Sequence, residues 1–325
     1  MGLLAYSKNS TDECTFALLW NQSTLSSQQP LLYVCIIATF THSLFWLQLL
    51  FFSSIRQKSM QWIYVYLATD ILLVIRFFFL FIIHTLVIDC RPSEGWYLFI
   101  CYFEATLDNY LNTLEVYILL ALNICRHAQI TRNKNVYETN ARLLIVAHLA
   151  IYILPLVNLV GQILLNWAKL DAHSSDICDL RFSATSVQIY NLTVAFVLPI
   201  SLNVFVIYRS AHHIQLTSRL RRGQCHISAR EKYHRSLVIQ FLVFYTIWLL
   251  LWAPNIILFQ LQSKNIQIIS ICQLLNFIEI TIDPIIIAGL DKRFYRVWKD
   301  VWKCLKDTFP LRVNLNLRQI GPYAN

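Results

Sequence analysis

Residues 61–88 read QWIYVYLATDILLVIRFFFLFIIHTLVI. This run holds a single acid, Asp70, and a single Lys or Arg, Arg76, among mostly aromatic and aliphatic side chains. At 1.5 Å per residue it is long enough, as a helix, to cross the ~30 Å hydrocarbon layer of a bilayer. In lipid the backbone must satisfy its own hydrogen bonds, so such a run is a helix.

Six further apolar stretches lie at about 31–53, 98–127, 141–166, 185–210, 234–260 and 266–288, with polar interruptions in the second and fourth of these. The composition agrees with them. Of 325 residues, 57% are hydrophobic and only 14% are charged, against roughly 25% charged in soluble domains. That balance does not fit a water-soluble enzyme, and it is far too apolar for a disordered chain. With 6 Gly and 8 Pro, the chain also lacks the small residues of broken-helix transporters. The expected fold class is an all-α membrane protein, a seven-transmembrane helix bundle with a short C-terminal amphipathic helix.

The net charge of +9 is topogenic. Lys8, Arg91, Lys169, Arg181 and Lys264 fall in loops read as external, and Arg76 lies within a span. The other Lys and Arg fall in loops read as cytoplasmic, which is the positive-inside pattern. Those loops also suit contact with anionic inner-leaflet lipid. A nucleic-acid partner is not expected.

Residues 1–30 are read as an extracellular segment without a cleavable signal peptide. It holds two glycosylation sequons, at Asn9 and Asn21, and a third at Asn191 falls inside a span. Residues 31–288 form the bundle, 289–307 an amphipathic juxtamembrane helix and 308–325 a cytoplasmic tail. In that helix Phe294, Val297, Val301 and Leu305 recur at helical spacing between Lys and Arg, a pattern that lies in the membrane interface. Cys304 is a candidate lipidation site.

Several elements, in order, carry a resemblance: Leu67-Ala68-Thr69-Asp70 in span two, Cys101 and Arg126 of span three, Pro199 in span five, Trp252-Ala253-Pro254 in span six and Asp283-Pro284 in span seven. With the amphipathic helix behind them, residues 31–305 resemble the rhodopsin-like G-protein-coupled receptors. There are departures. The acid-Arg-Tyr element reads Cys125-Arg126-His127, and Ile287 stands three places after Pro284. His42 replaces the usual Asn of span one, His148 lies where span four has its Trp, and the span-five Tyr is shifted to Tyr208.

The resemblance implies a Cys101–Cys178 disulfide across the second external loop. It makes Arg76, Asp108, Asn112, Trp252 and Asn255 candidate ligand-binding residues, with Asp108 where amine receptors hold a ligand ammonium. A buried carboxylate is costly without a partner, so an internal ion pair with Arg76 is the other reading of Asp108, and Glu104 could also pair with Arg76. Asn191 and Ala195 stand where an amine receptor has serines, which favours a peptide over an amine. Trp252 would be a rotamer switch at the floor of the site, and Pro254 permits a kink. Arg126, His127 and Arg235 are the candidate contacts to a heterotrimeric G-protein.

Glu279 and Asp283 are i, i+4 and share a helix face. The resemblance adds Asp70 and Glu115 beside them, where the family holds a hydrated sodium ion. Four carboxylates cannot all ionise at close range, so a cation or protons should join them. The other reading is neutral hydrogen bonding to Asn112, Asn123 or Asn276. No resident cofactor is expected beyond such a Na+ or proton. No catalytic triad, metal motif or phosphate loop is visible, so the expectation is a non-enzymatic plasma-membrane receptor, with a proton- or cation-coupled transporter as the rival.

Overall fold

The computed structural model describes residues 20–53, 55–56, 58–86, 94–132, 137, 141–171, 178–220, 229–261 and 265–290, together with 293, 294, 296, 297, 299 and 303. Asn9 and Cys304 lie outside them, and so does the side chain of Arg235.

The chain is a bundle of long helices. Helix α1 runs Gln22–Phe51 with Pro30 inside it, so the helix starts before residue 31. Asn21 caps it, accepting the Thr24 N–H at 2.8 Å. A cap of this kind satisfies one of the otherwise unpaired first-turn donors. Its buried stripe, Leu31, Cys35, Ala38, His42, Phe45 and Leu49, recurs every three or four residues, as one helix face must. Helix α2 spans Gln61–Leu86, α3 spans Glu94–Arg132 and α4 spans Ala141–Leu164. A hairpin follows, β1 (Ala168–Asp171) against β2 (Asp179–Phe182). Helices α5 (Thr185–Leu192) and α6 (Leu198–Leu220) are joined without a break by a π-helical turn, Thr193–Val197. Helices α7 (Ala229–Leu261) and α8 (Ile266–Leu290) complete the bundle.

Among the described residues, six segments are long and apolar enough to cross a membrane: α1, α2, α4, the α5–α6 unit, α7 and α8. The expected seventh, α3, is the longest helix, but Glu104, Asp108, Glu115 and Arg126 dilute its apolar character. Hydropathy alone therefore supports a multi-pass helical membrane bundle with six spans. Helix α3 packs against α2, α4, α6 and the hairpin. Helix α8 packs against α1 and α7.

The π-helical turn has a local cause. Pro199 brings no N–H for the Ala195 carbonyl, so regular i to i+4 bonding fails there. Tyr117 of α3 then donates its hydroxyl to the Val194 carbonyl at 3.0 Å. Beyond the proline, Tyr208 is 63% exposed on the lipid-facing side, while Ile207 packs inward. A one-residue shift turns a helical side chain by about 100°, so Tyr208 cannot serve as an inward tyrosine.

The hairpin alternates as a half-buried pair should. Ala168, Leu180 and Phe182 are buried, while Lys169, Asp179 and Arg181 are exposed. Cys178, just before β2, is disulfide-bonded to Cys101 of α3, with Cα atoms 5.0 Å apart. Past α8, residues 293, 294, 296, 297, 299 and 303 are helical. Phe294 is fully buried and stacks on Phe45 at 5.0 Å, while Arg296, Lys299 and Lys303 are exposed.

Candidate functional site

Polar side chains in the bundle gather in three layers. The first lies toward the disulfide. Arg76 of α2 donates to the Asp108 carboxylate of α3 at 2.9 Å and to the Glu104 backbone carbonyl at 2.6 Å. Arg76 is 12% and Asp108 22% exposed, so the pair stays open to solvent. Glu104 lends Arg76 its backbone only. Its carboxylate sits 3.5 Å from His84 and accepts the Cys178 N–H at 3.2 Å. Trp20 stacks on the His84 ring at 4.7 Å. This one acid therefore ties α2, α3 and the disulfide-bearing loop together. Below the pair, Asn112 donates to the Asp108 backbone carbonyl at 2.9 Å and accepts from Asn276 at 3.2 Å. Asn255 is buried on α7 close to Trp252.

Asn191, a position that would face an amine ligand, is already engaged. It exchanges two hydrogen bonds with Gln162 of α4, at 2.5 and 2.9 Å. A reciprocal amide pair leaves neither side chain free to turn toward a ligand without breaking both bonds.

The second layer is the acidic one. Asp70, Glu115, Glu279 and Asp283 are all fully buried. The structure brings them together as expected, with a partner the sequence reading missed. The Tyr66 hydroxyl lies 2.5 Å from Glu279 and is also hydrogen-bonded to Asp283. A phenol carries one proton, so it can donate to only one of these carboxyls. The other contact requires that carboxyl to be a protonated donor. Asp70 and Glu115 lie close enough to act on each other electrostatically, but neither carboxyl makes a hydrogen bond among the described residues. His42 Nε2 is 3.0 Å from the Ile280 carbonyl and 4.0 Å from Asp70, so the histidine binds α1 to α8 as well as bordering the acids. The expected amide partners go elsewhere: Asn112 pairs with Asn276, and Asn123 donates to Asn203 at 2.7 Å. Among the described residues no three His, Cys, Asp or Glu are arranged to hold a metal ion.

Tyr66 was legible in principle. It lies four residues before Asp70, on the same helix face. In an apolar run, however, a tyrosine reads as packing.

Between the second and third layers stands an aromatic column on one face of α7. Trp252 stacks on Trp248 with ring centres 4.4 Å apart, and Trp248 on Tyr245 at 5.4 Å. Phe196, within the π-helical turn, stacks on Trp252 at 6.1 Å. Both tryptophans are fully buried.

The third layer lies at the opposite end from the disulfide, roughly 37 Å along α3 from Cys101. Here the Arg126 guanidinium lies over the Phe241 ring of α7, 3.6 Å from its centre. His127 meets Ser210 of α6 at 2.9 Å. Tyr137 is buried nearby. Burial raises its phenol above the ordinary tyrosine range, and Arg126 opposes that rise. Trp62 of α2 stacks on His148 of α4 at 3.9 Å, with Gln61 bonded to the same imidazole at 2.8 Å.

Comparison with protein-family models gives no match, and comparison with curated proteins gives none either.

Proposed function

We propose that the chain is a receptor resembling the rhodopsin-like G-protein-coupled kind, with its disulfide end outside the plasma membrane and its Arg126 end inside. An extracellular ligand binds beside Arg76 and Asp108, shifts the helix bundle, and so exposes the Arg126 end to a heterotrimeric G-protein. No bond is made or broken. One observation carries the reading: polar and aromatic side chains run from the solvent-open Arg76–Asp108 pair, through Asn112, Asn276 and the Trp252–Trp248–Tyr245 column, toward Arg126. A ligand that competes for the ion pair differs in affinity between two arrangements of that column, which is what shifting an equilibrium requires.

The ligand favoured is a peptide. Asp108 already has a cation, and Asn191 is bound to Gln162, so neither awaits a small amine. The acidic layer supports a second reading, a proton- or cation-coupled transporter, because buried carboxyls that share protons also occur on ion paths. Ligand-stimulated nucleotide exchange on a co-expressed G-protein, screened with peptide and amine pools, tests the receptor. Solute or proton flux in vesicles without any exchange would favour the transporter.

A further inference from the structure

One turn of α7 is held on both sides. Gln240 donates its amide to the Leu290 carbonyl at 2.6 Å. That carbonyl ends α8, where the helix offers it no partner of its own. The next residue, Phe241, carries Arg126 on its ring face at 3.6 Å. Consecutive residues on a helix point about 100° apart, so the two contacts reach different neighbours, α8 and α3. Phe241 is half-buried against the core, and Phe244 beside it is buried, with ring centres 6.4 Å apart. The guanidinium therefore meets an aromatic face with little water at hand, the setting in which a cation–π contact is strongest.

We propose that Gln240 and Phe241 form a double clasp that keeps the Arg126 end closed in the resting state, with the Phe241 ring covering the guanidinium a cytoplasmic partner must reach. The clasp rests on the receptor reading for its consequence, but its geometry can be tested alone. Outward movement of α7 has to break both contacts at once. A partner that takes the guanidinium leaves Phe241 without its cation, so binding and opening favour each other.

The test uses the full chain in lipid nanodiscs, spin-labelled at Ile130 and Val238, and measures the distance distribution between α3 and α7 without ligand. Phe241→Leu keeps bulk and removes the aromatic face, Phe241→Tyr keeps the face, and Gln240→Ala removes the second contact without touching the first. Opening is expected in Phe241→Leu, to a lesser degree in Gln240→Ala, and not in Phe241→Tyr. Basal nucleotide exchange should rise about 2- to 30-fold in Phe241→Leu, the span of cation–π strengths from exposed to desolvated sites. If Phe241→Leu and Gln240→Ala keep the parent distances, the clasp is refuted. If the distances open but no variant catalyses exchange, the clasp stands and the receptor reading falls.

Discussion

Arg76 meets Asp108 at 2.9 Å while both side chains keep some contact with water. The pair joins α2 to α3 at the level where a ligand would arrive, and it is neutral only as a pair. Removing one member strands the other among apolar neighbours, a change that costs about 3–5 kcal/mol when the site is fully buried and less here. Asp108→Asn and Arg76→Gln should each lower the thermal midpoint in detergent, and the double variant should recover much of the loss. A double-mutant cycle measures the coupling. Strict additivity would mean that the two side chains do not support each other.

Tyr66→Phe tests the acidic layer. It deletes one hydroxyl and leaves Glu279 and Asp283 facing each other with one proton fewer. A buried polar group that loses its partner costs about 1–3 kcal/mol. Tyr66→Phe should therefore destabilise by that amount, and pairing it with Glu279→Gln should restore part of the loss, because an amide brings its own donor. Thermal unfolding of the three variants gives the answer. An unchanged Tyr66→Phe protein would show that the phenol is dispensable.

The Cys101–Cys178 disulfide holds the hairpin down with help from Glu104. Like charges stand opposite in that hairpin, Lys169 to Arg181 and Asp171 to Asp179, and such pairs weaken a sheet. Reduction should therefore release the strands Ala168–Asp171 and Asp179–Phe182 to rapid amide exchange, while the α7 column around Trp248 keeps its protection. Hydrogen exchange read by mass spectrometry separates the two. Loss of protection throughout the bundle would give the disulfide a global role instead.

Asn21 is both a sequon and a cap. Its Oδ1 accepts from Thr24 and from Ser23, and Nδ2 is the atom to which a glycan attaches. Asn21→Ala should cost about 1 kcal/mol in α1 stability and, if this end faces outward, remove one glycosidase-sensitive band shift in cells. Buried Asn191, in contrast, should contribute no shift. A shift that survives in a variant lacking both Asn9 and Asn21 would contradict the burial of Asn191.

The sequence announced the helices because length and apolarity are local properties. It placed their ends less well. Helix α3 continues to Arg132, and α6 and α7 reach Leu220 and Ala229, because helical hydrogen bonds do not stop where the apolar residues do. The four acids were visible, since a carboxylate in such a run stands out. Their partner was not, because Tyr66 gains its role only when α8 docks beside α2. Glu104 shows the same limit: its charge suggested a partner for Arg76, but the loop at Cys178 and His84 claim it. The stack of Trp62 on His148 could be found only as a contact between two helices.

The acids of α3 also bear on how the protein is made. Glu104, Asp108 and Glu115 on one helix each oppose transfer into lipid, by about 2.5–3.5 kcal/mol for an aspartate at mid-bilayer. Helix α3 is thus a poor candidate to leave the insertion machinery alone. Helix α2 carries the partner that α3 lacks, Arg76 for Asp108. The two helices have reason to enter the bilayer together as one hairpin, so biogenesis constrains those residues.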